Sequence, residues 1–109
     1  MLEMYEKSLP AGSTAAGAGT AFVVPMDCTH VTMYVVGSAG IASGAVQLEG
    51  AHDKDYAGTW AAIGSPVTAV ASAVVKVVAV EAHKALRARI STEIGSGTVT
   101  VYILAVGPV

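Results

Sequence analysis

The sequence predicts an all-β fold, an antiparallel β-sandwich of jelly-roll-like topology with about eight short strands, and three observations carry that expectation. Apolar residues recur at every second position through most of the chain. Valine, isoleucine, threonine and tyrosine fill the alternating stretches, as they do in half-buried strands. Glycine-bearing segments punctuate them at short intervals.

The elements follow in order. Leu2 to Ser8 reads as a first strand, and Ala11 to Gly19, made of small residues with no anchoring side chain, reads as a loop. Residues 1–19 therefore suit either an extended arm or a loop ahead of the sandwich, within one domain spanning 1–109. Thr20 to Val24 is a short strand, closed at Val24-Pro25-Met26-Asp27 because proline has no N–H for a sheet ladder. In the strand His30 to Val35, Val31, Met33 and Val35 share one face, and His30, Thr32 and Tyr34 the other. Ala45 to Gly50 and Thr59 to Ile63 are two further strands. A helix competes for one stretch alone, the alanine-rich Val67 to Ala85, where valines at 67, 70, 74, 75, 77, 78 and 80 favour a strand over Val74 to Glu81. Leu86, Ala88 and Ile90 alternate with Arg87, Arg89 and Ser91, and Val99, Val101 and Ile103 with Thr98, Thr100 and Tyr102. Gly37-Ser38-Ala39-Gly40 and Ile94-Gly95-Ser96-Gly97 read as hairpin connections in which glycine takes the positive φ.

Composition narrows the function. Charged residues form 13% of the chain, about half the share in ordinary soluble domains. No charge occurs from Cys28 to Leu48 or from Tyr56 to Val75. Such a surface is expected to be covered by protein. A net charge of −2 argues against a nucleic-acid partner, which needs a concentration of lysine and arginine. No membrane partner is expected either. Pro66 to Ala82, the most apolar stretch, contains Lys76 and Glu81 and is shorter than the roughly 20 residues of a spanning helix, and the N-terminus lacks the basic and apolar regions of a signal peptide. The single cysteine, Cys28, permits no intrachain disulfide and fits a reducing compartment.

No grouping of residues points to catalysis. His52-Asp53-Lys54-Asp55, preceded by Glu49, lacks the ordered oxygen donors of a calcium loop and reads as a solvated hairpin tip. Glu81 and His83 would share a strand face but have no nucleophile or oxyanion donor near them in sequence. Cys28 and His30 read as a small buried hydrophobe beside a strand residue. No metal, cofactor or catalytic residue is expected, and the chain is not expected to be an enzyme. Trp60 reads as a core or rim anchor. Tyr5, Tyr34 and Tyr102 are the candidate interface residues, because Tyr34 and Tyr102 lie opposite the inward valines and tyrosine is enriched where proteins meet.

Val46-Gln47-Leu48-Glu49-Gly50, a polar turn, and Thr59-Trp60-Ala61-Ala62-Ile63-Gly64 form a hairpin that resembles one in small bacteriophage virion proteins. Ala85-Leu86-Arg87-Ala88-Arg89-Ile90, a Gly-Ser-Gly turn and Gly97-Thr98-Val99-Thr100-Val101-Tyr102 match in style. Together these segments, from Ala45 to Leu104, resemble the jelly-roll decoration or cement proteins of tailed-phage capsids. The turn Ala51-His52-Asp53-Lys54-Asp55 departs from the glycine-rich turn of that pattern. The resemblance implies a non-enzymatic protein that joins itself as a dimer or trimer. It would be made in the host cytoplasm and bind the major capsid protein at capsomer junctions on the virion exterior, without cofactor. The alternative is a receptor- or glycan-binding β-sandwich of a tail or fibre. Uncovered valine and alanine faces would favour the first reading, and exposed aromatics beside acidic loops the second.

Overall fold

The computed structural model describes residues 3–25 and 28–107, with the backbone alone at 3, 4 and 10–13. Nine strands occupy them: β1 (Glu3–Ser13), β2 (Gly17–Ala18), β3 (Phe22–Val23), β4 (His30–Gly37), β5 (Ser43–Ala51), β6 (Ala61–Thr68), β7 (Val74–Val80), β8 (Ala85–Gly95) and β9 (Val99–Val106). They form two antiparallel sheets facing one another. One has the order β1-β9-β4-β7, and the other β2-β8-β5-β6 with β3 also on β8.

The pairings are nested. β1 meets β9, β2 and β3 meet β8, β4 meets β7, and β5 meets β6. The chain is thus one long hairpin with its tip at β5–β6, folded over so that β4 also pairs β9 and β5 also pairs β8. With β2 and β3 counted as one interrupted strand, this is the eight-stranded jelly roll that the alternation predicted.

The interruption has a cause. β1 shifts register between Lys7 and Leu9, and Ser8 turns inward, fully buried. Its hydroxyl donates to the Thr20 carbonyl at 2.8 Å and accepts the Ala88 N–H at 2.9 Å. Thr20 N–H in turn bonds the Ser8 carbonyl at 2.7 Å. Ser8 therefore ties the two sheets together at the point where β2 gives way to β3. Gly19 allows the approach, since a Cβ there would collide with the Ser8 carbonyl oxygen.

The core lies between the sheets. Val31, Met33, Val35, Val101, Ile103 and Ala105 on one side face Val46, Leu48, Leu86, Ala88 and Ile90 on the other. All are buried, as the period-two reading requires.

Three expectations need correction. The two glycine turns are not hairpins: each carries the chain from one sheet to the other, and β5–β6 is the hairpin between neighbours in sequence. Turn chemistry is local, whereas sheet membership is decided by packing. Within those turns Gly40 takes a φ of 86°, but in the second the positive φ of 65° falls on Ser96. Ala11 to Gly19 is not simply a loop, because β1 runs through Ser13 and β2 covers Gly17–Ala18. Backbone pairing needs no large side chain, so alanine and glycine there conceal a strand. Between Val67 and Ala85 the favoured strand is borne out as β7, and no helix forms there. Of the strand-ending Val24-Pro25-Met26-Asp27, Met26 and Asp27 lie outside the described residues.

Candidate interaction face

Alternation sends every second residue of the β1-β9-β4-β7 sheet away from the core. Register then sets the neighbours on that outer face. Tyr5 stands beside Leu104, Leu104 beside Thr32, and Thr32 beside Val78. In the next row Lys7, Tyr102, Tyr34 and Lys76 follow one another across the sheet. Val36 and Val74 form a pair in the row beyond.

The three tyrosines singled out from the sequence thus come from three strands onto one surface. Tyr5 and Tyr102 stack with ring centroids 5.5 Å apart and planes 1° from parallel. The Lys7 ammonium stands 5.7 Å from the Tyr102 centroid. Tyr5, Tyr34, Val36, Val74, Tyr102 and Leu104 line a shallow groove of about 360 Å³. Between and beside Lys7 and Lys76, large apolar side chains stand open: Tyr5 is 58% exposed, Val74 60%, Val78 58% and Val80 68%. The sequence reading missed the valines of β7. Both faces of Val74-Val75-Lys76-Val77-Val78-Ala79-Val80 are apolar, so periodicity could not say which side met water; the single lysine at 76 was the available signal.

The outer face of the other sheet is built differently. Glu49, 5% exposed, accepts the Arg87 Nε–H at 2.8 Å and has the Arg89 guanidinium 3.8 Å away. Arg87 lies under Trp60, its guanidinium carbon 4.2 Å from the ring centroid. The indole N–H donates to the Tyr56 carbonyl at 2.9 Å. Trp60 is 4% exposed but lies outside the inter-sheet core, so the expected anchor is one that roofs an ion pair. Gln47 fills the gap where β6 bulges, donating to the carbonyls of Leu48, Ile63 and Gly64.

The other polar residues singled out from the sequence lie in connections between strands or beside them. The β5–β6 loop carries His52 and Tyr56, with ring centroids 4.8 Å apart, beside the exposed Asp53 and Asp55. Asp53 accepts the Asp55 N–H at 2.8 Å, and Lys54 bonds Asp55. Glu49 is turned to the arginines, away from this loop. Glu81 and His83 do meet through a hydrogen bond, but in the β7–β8 connection and not on a strand. Cys28 is buried while His30 is exposed, so the two form no pair.

No protein-family model matches the chain, and no curated protein matches it in sequence. Among solved structures the fold is shared with the SPBc2 prophage-derived protein YomS. The TM-score is 0.69 and the identity 15%, over 95% of this chain and 92% of that one.

Proposed function

We propose that this chain is a non-enzymatic structural protein of a phage virion, which associates with itself and binds the capsid exterior at capsomer junctions. The observation that carries the reading is the outer face of the β1-β9-β4-β7 sheet, where Tyr5, Val74, Val78 and Val80 are all more than half exposed around a tyrosine-lined groove. Large apolar side chains left open in this way are costly in water and gain free energy when a partner covers them. Tyrosines suit that role, because each offers a rigid ring with a polar tip. The fold shared with a prophage-derived protein and the low charge of the chain support the same reading. Many copies on a shell would add weak contacts into firm attachment.

A second reading has its own observation. His52 and Tyr56 stand exposed beside Asp53 and Asp55, the combination of aromatic and acidic groups that suits a sugar ligand, and this favours a receptor- or glycan-binding module of a tail or fibre.

Immunogold labelling of purified virions from the encoding phage separates these readings. Label spread over heads supports the capsid role, and label confined to tails moves the assignment to the second reading. Virions that lack the protein by mass spectrometry sink both.

A further inference from the structure

A two-sheet sandwich has four open edges, and each is a potential template for another strand. Three of them here carry features that discourage pairing. β1 shifts register twice, includes Pro10, which has no N–H, and bears Glu6 and Lys7. β6 bulges at Gly64, Ser65 and Pro66. The β2/β3 edge is broken into two-residue pieces. β7 has one of these alone, a single charge. Its seven residues pair β4 in unbroken register from His30↔Val80 to Val36↔Val74, with no proline or glycine and one charge, Lys76. Its inward Val75, Val77 and Ala79 are only half-buried, unlike the matching residues of β4.

The direction of the free hydrogen-bonding groups follows from one bond. Gly37 N–H reaches the Ala73 carbonyl at 2.9 Å, so residue 73 points its backbone groups at β4. Alternation then turns Val75, Val77 and Ala79 toward β4 and Val74, Lys76, Val78 and Val80 toward the open edge.

We propose that β7 pairs antiparallel with β7 of a second copy about a two-fold axis at Val77, joining the two β1-β9-β4-β7 sheets into one. This rests on the self-association read above and specifies its contact. The strand is self-complementary in that register: Val74 meets Val80 of the second copy, Lys76 meets Val78, Val75 meets Ala79, and Val77 meets its own mate. All seven residues overlap, side chains on each face match, and the residues with outward N–H and C=O groups face one another. Sliding by two residues in one direction sets Lys76 against its own copy, a like-charge pair. Sliding by one sets apolar faces against the wrong sides. Charge and length both select the register centred on Val77. β6, beside β7 across the sandwich, exposes Ala61, Ala62, Gly64 and Ser65, whose small side chains leave room for the second copy. The joined sheets would carry both tyrosine faces as one surface.

Position 78 tests the register because its exposed side chain falls opposite Lys76 of the second copy. Sedimentation velocity over a dilution series, with circular dichroism to verify the fold, should show V78K weakening the dimer about tenfold or more and V78E tightening it about threefold, through a cross-strand ion pair made twice. The V78E gain should shrink in high salt. A stable oligomer indifferent to both substitutions, or weakened equally by both, overturns the β7 contact and leaves self-association standing. A wild-type protein that stays monomeric at every concentration overturns self-association itself.

Discussion

The two outer faces of the sandwich are made from similar strands and end in opposite states. On the β2-β8-β5-β6 sheet the chain roofs itself: Trp60 lies over Arg87, Arg87 holds Glu49, and Gln47 plugs the bulge of β6. On the β1-β9-β4-β7 sheet no element among the described residues crosses the strands, and Tyr5, Val74, Val78 and Val80 are exposed. The long β5–β6 connection explains part of the difference, since it returns Trp60 over its own sheet. Residue choice explains the rest. A self-covered face can use a charged network, because the chain supplies each partner at a fixed position. A face that is to meet another molecule, as proposed for this one, gains more from apolar groups that need no exact mate.

Substitutions can break the contrast from either side. Trp60→Ala should have the largest effect on stability, about 3–5 kcal/mol in urea denaturation, because it removes a buried ring and opens the ion pair to water. Glu49→Ala should cost about 2–3 kcal/mol, near the low end for a broken buried pair because Arg87 keeps some solvent contact. Neither should alter the oligomeric state measured at temperatures where the variants are folded. Tyr5→Ala should reverse that profile. It loses the stack on Tyr102, about 0.5–1.5 kcal/mol of thermal stability, and under the proposed capsid role binding to purified heads in a pelleting assay should fall far more. Val80→Thr should change stability by less than about 0.5 kcal/mol and raise solubility in a precipitation titration. A loss from Val80→Thr as large as that from Trp60→Ala would mean that the open face is a core after all.

Much of this was legible in the residues. Period-two alternation located the inward sets Val31-Met33-Val35 and Val99-Val101-Ile103, and with them the outward Tyr34 and Tyr102, because parity alone decides which side of a sheet a residue takes. Tyr5 joined them through a register that no local pattern encodes, the pairing of the first strand with the last. The same limit hid the crossings between sheets. Gly37 to Gly40 carries ordinary turn chemistry, and that chemistry is the same whether the next strand returns to its neighbour or leaves for the facing sheet. Trp60 was recognisable as an anchor, but its site over Arg87 depends on a cross-strand pair, Glu49 with Arg87, separated by more than thirty residues. β7 was ambiguous for a different reason, since valine on both sides erases the contrast on which periodicity depends.

The nested pairing also has a consequence in time. β1 finds its partner in β9, the last of the nine strands in chain order, so it must wait through the synthesis of the seven between them. The hairpin tip at β5–β6 is the earliest pairing available, and closure then proceeds outward from it. Until β9 arrives, Ser8 has no settled sheet to join and the inner valines of β4 lack one flank. Folding of these strands should therefore be slow and set by the closure of β1 on β9, with the chain at its most adhesive just before that closure.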